Sequence, residues 1–418
     1  MAKPKLLFVT YGFPPARRAG CIRTWNIAKY LARTGWTVTI LTPDPALHRN
    51  IDQPEETTQR IGREGLHRLP TGHRWPWLAS ESIRWPNEGL PWLIGGGARR
   101  AARYFGIDPS VGWISPAQRA SRSLTTSDVD VILASGPPFS AFRLAKLLAK
   151  QFRCPYVLDY RDLWSRHLHN PAPHALHREA NVIRGSAAVT VVSPSWRQVL
   201  DRQFAVGEKV HVVSNGYDPE ELTAVKASEF NHFPIVYTGS FWPPKRTISP
   251  VMAALQRLKE SEYRPSHQWM FHYYGRHGSH VREEADRFNL MDHVVINGMT
   301  SRSIALAAVK AAGAAVVVTS VEENGTLEEN GMVTGKIFEA VGLGAPILLV
   351  APLGSDARAV IETTGRGRGF TAHDLSGIAS FLTDRFEGKR LESNNPTAYT
   401  WAALAGDIDR LLRSTIKI

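Results

Sequence analysis

KLLFVTYGFPPARRAGCIRTWNIAKYLARTGWTVTIL, residues 5–41, is the stretch that decides the fold. It opens with a short apolar run that predicts a strand, and a loop rich in Pro and Gly follows. Apolar residues at helical spacing over 22–34 predict a helix, which ends at Gly35. Residues 36–41 predict a second strand. The stretch therefore predicts a βαβ unit of a parallel sheet, and such sheets bind ligands at the carboxyl ends of their strands.

The same alternation of strands and helices continues in two blocks, separated by a turn signal at 214–217. Strands are predicted at 129–134, 156–159, 187–192, 210–213, 234–238, 269–274, 294–297, 314–319 and 346–350. We therefore predict two α/β domains whose parallel sheets face each other across a ligand cleft. The N-terminal domain covers 1–217, the C-terminal domain covers 218–400, and a last helix over 401–418 packs back on the N-terminal domain.

Residues 43–128 interrupt this alternation and are rich in Trp, Arg and Pro, as in Arg74-Trp75-Pro76-Trp77 and Arg84-Trp85-Pro86. Clustered Trp and Arg side chains suit a membrane interface or a groove that holds an acceptor. A packed excursion of the N-terminal domain is the alternative. The pattern leaves both interpretations open.

The charge of the chain is one-sided. Residues 1–217 contain 29 Lys and Arg against 15 Asp and Glu, whereas residues 218–418 contain 21 against 23. A basic half indicates an anionic partner, such as a phospholipid leaflet, a pyrophosphate-linked lipid or nucleic acid, although solubility alone also explains it. No nucleic-acid recognition motif accompanies the charge, so we expect no nucleic-acid partner.

Two cysteines, Cys21 and Cys154, are too few for a disulfide scaffold or a four-cysteine zinc site, and they fit a reducing compartment. No run of 18 apolar residues exists, and the apolar run at the N-terminus is too short for a signal peptide. We therefore expect a cytoplasmic protein whose basic half is able to contact the cytoplasmic face of a membrane.

The sequence TGKIFEA at 334–340 is the strongest local signal for a binding site. A loop enters a helix there, and the free N–H groups and positive potential of a helix N-terminus suit a pyrophosphate. Lys336 lies in the first turn and adds a cation. Glu339 lies on the same face, where its carboxylate is placed to accept from ribose hydroxyls. A capped helix with both side chains in solvent is the alternative.

Two further loops follow predicted strands and carry charged residues. Lys245 and Arg246 follow the first strand of the C-terminal domain, and two cations there can neutralise a leaving diphosphate without a metal. Arg161 and Asp162 follow a strand of the N-terminal domain, directly after Asp159. These last residues are either functional or part of a structural ion pair.

Two motifs resemble metal sites without being convincing ones. Asp128 and Asp130 have Asp-x-Asp spacing but lead into a strand. His167, His169 and His174 lie on a loop that contains Pro and lack the spacing of a zinc site. We therefore expect no metal and no cofactor.

Taken in order, these stretches resemble glycosyltransferase family 4, a retaining family with the GT-B fold of two Rossmann-like domains. The resemblance covers nearly the whole chain. The segments that carry it are FVTYGFPP at 8–15 with Gly20, SGPPFS at 135–140, DYRDLW at 159–164, NGYD at 215–218, DHVVING at 292–298 and KIFEAVGLGAP at 336–346. The segments at 135–140 and 159–164 look like paired signatures of a bacterial subgroup, within glycosyl transferase group 1.

The resemblance implies roles for individual residues. The expected catalytic residues are Lys245, Arg246, Arg161 and Asp162. The expected donor-binding residues are Gly20, Gly239, Ser240, Gly275, Gly298, Asn330, Gly331, Met332, Val333, Thr334, Lys336 and Glu339.

The chain departs from the family at one position. The family motif is Glu-x7-Glu, and Glu339 matches its second Glu, the ribose ligand, but Gly331 stands where the first is expected. Glu328, Glu329 or Asn330 is a candidate substitute. The backbone N–H groups over 331–334 are expected to hold the diphosphate.

The activity implied is that of a retaining, metal-independent glycosyltransferase of the hexosyltransferase type. It would take a sugar from a UDP- or GDP-linked donor and pass it to a glycan, lipid-linked or small-molecule acceptor, as in the biosynthesis of polysaccharides or glycoconjugates. Two alternatives stay open: an epimerase of nucleotide-bound sugars with the same fold, and a protein that binds nucleotide sugars without transferring them.

Overall fold

The structure is a computed structural model that describes residues 3–16, 19–49, 51, 54–79, 83–84, 89–104, 107–168, 172–261, 268–394 and 396–416. The chain divides into two compact units. Unit 1 comprises Met1–Ser214 with Trp401–Ile418, and unit 2 comprises Asn215–Thr400. Each unit has its own parallel sheet with helices between the strands, which confirms the predicted pair of parallel α/β domains.

Unit 1 is built on a seven-stranded parallel sheet in the order β3-β2-β1-β4-β5-β6-β7. Its strands are β1 (Lys5–Thr10), β2 (Thr37–Pro43), β3 (His67–Thr71), β4 (Val131–Gly136), β5 (Tyr156–Tyr160), β6 (Ala188–Val191) and β7 (Val210–Val212). The helices between them are α1 (Ala19–Arg33), α2 (Pro54–Arg63), α3 (Gly89–Tyr104), α4 (Ile114–Ala120), α5 (Ser140–Phe152), α6 (Leu176–Gly185) and α7 (Pro194–Phe204). The central strands are buried on both faces, which explains their continuous apolar runs.

Unit 2 is built on a six-stranded parallel sheet in the order β10-β9-β8-β11-β12-β13. Its strands are β8 (Phe233–Thr238), β9 (Trp269–Tyr274), β10 (Val294–Gly298), β11 (Ala314–Val318), β12 (Ile347–Val350) and β13 (Gly367–Phe370). Its helices are α8 (Pro219–Thr223), α9 (Ser249–Glu260), α10 (Gly278–Arg287), α11 (Arg302–Ala311), α12 (Leu327–Asn330), α13 (Gly335–Leu343), α14 (Asp356–Thr364) and α15 (Leu375–Phe386).

The C-terminal helix α16 (Trp401–Thr415) belongs to unit 1, as the sequence predicts. Its apolar face joins the core formed by α1 and the first strands, with Trp401 and Ile408 fully buried. Trp36 Nε1 donates to Asp409 at 2.6 Å, and the Arg413 guanidinium lies over the Trp36 ring. Burial of one apolar stripe and this polar clamp hold the helix on the first βαβ unit.

The interruption predicted over 43–128 contains a strand that the sequence analysis missed. β3 has the sequence HRLPT and forms the edge of its sheet, so it lacks the apolar run of a central strand. Part of the segment is packed structure: Trp113 is fully buried and its Nε1 donates to Thr71 Oγ1 at 2.6 Å. Trp75 stays 37% exposed. Trp85 and Pro86 lie outside the described residues, as do Arg17 and Arg18.

Within the described part of the chain, no helix combines the length and the apolar character needed to cross a bilayer.

Candidate functional site

The residues singled out in unit 2 gather at the carboxyl ends of neighbouring strands of its sheet. Gly239 directly follows β8, Gly275 directly follows β9, and Gly298 ends β10. The helix α13 begins at Gly335, after the loop that leaves β11. Parallel strands bring these loops to one edge of the sheet, where ligands bind in open α/β sheets.

The three glycines allow these loops to pack tightly. The Gly275 N–H donates to the Gly298 carbonyl at 2.8 Å, and a Cβ on Gly275 would overlap the Gly239 carbonyl. Gly239 has φ +123°, a backbone conformation that residues other than glycine rarely adopt. Ser240 contributes a backbone contact to this packing: its carbonyl accepts a hydrogen bond from the Tyr237 hydroxyl at 3.3 Å.

Lys336 is the cation at the centre of this edge. Its ammonium group occupies the space that a Cβ on Gly239 would fill and lies 5.7 Å from the Tyr237 ring centroid. Among the described residues, no carboxylate or carbonyl lies within hydrogen-bonding distance of it. Burial, and then the nearby charge of Arg246, lower its pKa to about 8, although Glu339 opposes them. A half-buried lysine without a counter-ion is a feature of sites that bind anions.

Arg246 is fixed beside Lys336. Its Nε donates to the Thr319 carbonyl at 3.3 Å, and its guanidinium contacts the Met332 sulfur. Its backbone pairs with Trp242 in both directions, at 2.9 and 3.0 Å, which closes the loop after β8 into a tight turn. Because two cations held together repel each other, the pair favours an anion between them.

Lys245, in contrast, has a carboxylate partner. Its ammonium lies 2.5 Å from Glu329 Oε1, and the lysine side chain is 58% exposed. The hydrogen bond that Lys245 donates to Glu329, and then the charge of that carboxylate, raise the pKa of Lys245. The other Glu329 oxygen accepts from the Thr326 N–H in a capping box at the start of α12. Glu329, a candidate for the missing first Glu of the motif, is therefore already engaged by two partners.

The loop over 330–334 uses part of its backbone internally. The Gly331 and Met332 N–H groups donate to carbonyls of α12, which differs from the expectation that they face a diphosphate. Asn330 Nδ2 donates to the Gly325 carbonyl at 3.2 Å. The Val333 carbonyl accepts from Asn215 Nδ2 at 3.4 Å. Among the described residues, no backbone acceptor contacts the Val333 and Thr334 N–H groups, so these and the N–H groups at the first turn of α13 are left for a ligand.

Thr334 precedes that first turn as the N-cap of α13. Its Oγ1 is buried and has no hydrogen-bond partner among the described residues. Because an unsatisfied buried hydroxyl costs stability, this atom adds a candidate contact to a bound anion.

Glu339 is held by an arginine that the sequence analysis did not single out. Arg302, the first residue of α11, contacts Glu339 Oε1 through its Nη1 and pairs with Glu221 at 3.0 Å through its Nε. Burial opposes the charge of Arg302, but the two carboxylates outweigh it and raise the pKa. Arg302 thus fixes one oxygen of Glu339, and Oε2 has no hydrogen-bond partner among the described residues.

Exchange of Glu339 for glutamine should weaken the binding of UDP. A hydrogen bond to a charged carboxylate contributes about 1.5–3 kcal/mol, so the Kd is expected to rise roughly 10- to 100-fold. Glu221→Gln is the matched control, because it removes the other carboxylate of Arg302 and leaves Glu339 paired. Calorimetric titration with UDP measures both variants. Equal losses of affinity in the two would contradict a contact between Glu339 and the ribose.

Gly20 and Arg161 meet in unit 1. A Cβ on Gly20, in the first turn of α1, would overlap the Arg161 guanidinium. The Arg161 N–H donates to the Gly136 carbonyl at 2.9 Å, and its side chain donates to the Pro137 carbonyl. Burial lowers the pKa of Arg161, although Asp162 opposes the shift. Arg161 therefore joins the loops after β1, β4 and β5 at the carboxyl edge of this sheet.

Asp159, two residues before Arg161, forms a structural ion pair. Arg23 of α1 donates to its carboxylate from Nε and Nη2, the shortest distance being 2.7 Å, and both side chains are at most 2% exposed. Ser135 and Thr190 hydroxyls also donate to it. Burial disfavours the carboxylate charge, but Arg23 and these hydrogen bonds outweigh it and lower the pKa.

The remaining acidic motif is structural as well. Asp130 Oδ2 accepts from the Lys5 N–H at 2.7 Å, and Asp128 completes a capping box with Thr125. In the described parts of the chain, no group of three or more His, Cys, Asp and Glu side chains could hold a metal ion. His169 lies outside the described residues.

Solved structures resemble the chain over nearly its whole length. Sucrose-phosphate synthase from Thermosynechococcus elongatus has a TM-score of 0.60 and 15% identity over 99% of this chain and 95% of its own. HepE of Anabaena, solved with UDP and glucose, has a TM-score of 0.57 and 18% identity over 98% and 95%. A putative UDP-N-acetylglucosamine 2-epimerase from Listeria monocytogenes has a TM-score of 0.54 and 14% identity over 98% and 95%. The chain therefore has the GT-B fold, built from two Rossmann-like units with parallel sheets.

The family of unit 1 follows from its sequence. Residues 22–216 match the family model of the glycosyl transferase 4-like domain. No curated protein matches the chain. Residues 22–216 therefore match a glycosyl transferase 4-like domain, which confirms the predicted resemblance for this part of the chain.

Proposed function

We propose that the protein is a glycosyltransferase that takes a hexose from a UDP- or GDP-linked donor and passes it to a glycan, lipid-linked or small-molecule acceptor. The observation that carries this proposal is Lys336, a half-buried cation without a counter-ion, beside Arg246 at the start of α13. This combination suits the diphosphate of a nucleotide sugar. The glycosyl transferase 4-like domain of unit 1 favours transfer over other chemistry of such donors.

The proposed reaction needs no metal, because protein cations stabilise the leaving diphosphate. Lys336 and Arg246 contact it directly, and the N–H groups at the first turn of α13 add positive potential. Lys245 joins them once its ammonium turns from Glu329 to the phosphate. The bond between the anomeric carbon and the leaving phosphate oxygen breaks, and the acceptor oxygen bonds to that carbon on the same face of the sugar. The leaving oxygen takes the proton of the acceptor hydroxyl. Because both events occur on one face, the anomeric configuration is retained. We also propose Arg161 and Asp162 as catalytic residues.

An epimerase and a non-transferring binding protein are the competing functions. The similarity to a putative epimerase from Listeria monocytogenes supports considering an epimerase. Gly331 in place of a carboxylate supports considering a protein that binds nucleotide sugars without transferring them. Incubation with a panel of UDP- and GDP-sugars, with and without mixed acceptors, separates them. Transfer predicts that nucleoside diphosphate is released only when an acceptor is present. An altered sugar without release would support an epimerase, and binding alone would support the third function.

The lowered pKa of Lys336 predicts that UDP binds less tightly at alkaline pH. A bound diphosphate raises this pKa above about 8, its value in the free protein, so binding takes up a proton as pH rises above 8. The Kd should change little near pH 7 and should rise toward roughly tenfold per pH unit above pH 8. Lys336→Arg, which stays protonated, should remove this dependence. A wild-type Kd that stays constant to pH 9.5 would contradict the assignment.

We also propose that the protein acts in the cytoplasm, where nucleotide sugars are its donors. The basic residues of unit 1 would attract an anionic acceptor or the inner face of a membrane.

A further inference from the structure

Unit 1 has a groove that the proposed donor site does not use. It lies between the loop after β3 and the helix α4, and it has a volume of about 870 Å³. Its lining includes Arg74, Arg119 and Arg122 together with Gln118 and Gln151, and it contains no carboxylate. A volume of this size accommodates an ordinary small-molecule ligand.

The three arginines are available to a ligand. Within the described part of the chain, none of Arg74, Arg119 and Arg122 pairs with a carboxylate, and all three are exposed. Arg119 and Arg122 come from α4 and the turn that follows it, whereas Arg74 comes from a different segment of the chain. Three guanidinium groups that line one groove without a carboxylate partner are suited to an anion with several oxygens, such as a phosphate.

The loop that carries Arg74 is held in place by its own contacts. The Arg74 N–H donates to the Gly112 carbonyl at 2.9 Å, and a Cβ on Gly112 would overlap the ring of His73. The Trp75 N–H donates to His73 Nδ1 at 3.2 Å, and the Arg74 guanidinium lies 5.4 Å from the Trp75 ring centroid. A preorganised loop loses little conformational entropy when a ligand binds.

The groove adjoins the carboxyl edge of the unit 1 sheet. The His73 ring lies against Tyr11, with ring centroids 6.1 Å apart, and Tyr11 directly follows β1. The loop after β1 leads into α1, where Gly20 contacts Arg161. One end of the groove is therefore in contact with the loop that leads to Gly20 and Arg161.

We propose that this groove binds the phosphate or diphosphate group of the acceptor. The identity of the ligand as the acceptor rests on the proposed transferase function, whereas the binding of phosphate rests on the groove alone. A charged acceptor of this kind would be held by its phosphate at Arg74, Arg119 and Arg122, with its sugar or hydroxyl end directed along the loop after β1. The concave shape, with three arginine side chains from two segments, favours a discrete ligand over a flat membrane surface.

Calorimetric titration with inorganic pyrophosphate tests the groove in full-length protein that carries Lys336→Ala, so that the contribution of the donor site is weakened and is the same in every variant compared. In this background, Arg119→Gln with Arg122→Gln should weaken pyrophosphate binding at least about tenfold, because two charge-assisted contacts are lost. Arg184→Gln with Arg202→Gln is the matched control, since these exposed arginines lie on α6 and α7 of the same unit. Equal affinities in the two double variants, or no binding in the parent, would overturn the proposal.

Two further measurements separate this result from the donor site and identify the source of the phosphate. With Lys336 intact, the Arg119/Arg122 variant should bind UDP as the wild type does. Absence of UDP binding in every protein would count against the transferase, not against the groove. Flotation with phosphatidylglycerol vesicles that pyrophosphate competes away would assign a lipid headgroup, and pyrophosphate binding without flotation would assign a soluble phosphate ester. A protein that binds the vesicles but binds no pyrophosphate, and whose flotation pyrophosphate does not reduce, would overturn the proposal.

Discussion

Replacement of Lys336 by alanine is expected to lower turnover by about two to three orders of magnitude, with the most active nucleotide sugar of the panel as donor. The loss of one preorganised group that stabilises developing charge commonly costs about 10²–10³ in rate. Arg246 and the N–H groups of α13 remain, and the stabilisation that they provide accounts for the residual turnover of the variant. Release of nucleoside diphosphate in the presence of acceptor measures the effect.

The same substitution should leave the fold unchanged. The Lys336 ammonium is half-buried and, among the described residues, has no hydrogen-bonding partner, so its removal takes away a charge whose burial outweighs the opposing effect of Glu339. The midpoint of thermal unfolding should therefore stay constant or rise. Lys226→Ala, at an exposed position of the same unit, is the matched control and should change neither activity nor stability. A Lys336→Ala variant with nearly full activity would remove the lysine from the mechanism.

Replacement of Arg23 by alanine is expected to destabilise unit 1 by about 3–5 kcal/mol, because it leaves the Asp159 carboxylate buried without its counter-ion. Arg23 also donates to the carbonyls of Val213 and Ser214, so the end of unit 1 before unit 2 would lose two hydrogen bonds. The free energy of unfolding from urea titration, followed by circular dichroism, measures the change.

A second arginine of α1 provides the control for this experiment. Arg33 forms a two-point pair with Glu64 at 2.8 Å, but its side chain is 40% exposed. Exposed pairs contribute about 0–1 kcal/mol, so Arg33→Ala should have a small effect on the free energy of unfolding. Similar losses in the two variants would show that burial does not decide the value of these ion pairs.

The sequence predicted the repeating α/β architecture because buried central strands are continuous apolar runs. It missed the edge strands β3 and β13, whose sequences HRLPT and GRGF lack such runs. Both strands lie at a sheet edge, where one side of the backbone has no neighbouring strand and fewer side chains are buried. Pairing with a neighbouring strand, rather than apolar character, defines them.

The sequence predicted which residues belong to the candidate site of unit 2, but it did not predict which of their side chains contact each other. Lys336 and Gly239 were both singled out, yet their contact depends on how β8 and α13 approach in the fold. Arg302 and Glu339 are 37 residues apart, and Lys245 and Glu329 are 84 apart. No local pattern marks such partners, because the fold alone brings them together. The structure therefore adds Arg302 to the candidate site and gives Lys245 a carboxylate partner.

Calorimetric titration of the full-length protein with UDP and with GDP tests the central claim most directly. The claim is that Lys336, at the start of α13, binds the diphosphate of a nucleotide sugar. We predict that the wild type and Lys226→Ala bind one of the two nucleotides with equal affinity, and that Lys336→Ala binds it at least about tenfold more weakly, as expected for the loss of one charge-assisted contact. A Lys336→Ala variant with wild-type affinity, or a wild type that binds neither nucleotide, would contradict it.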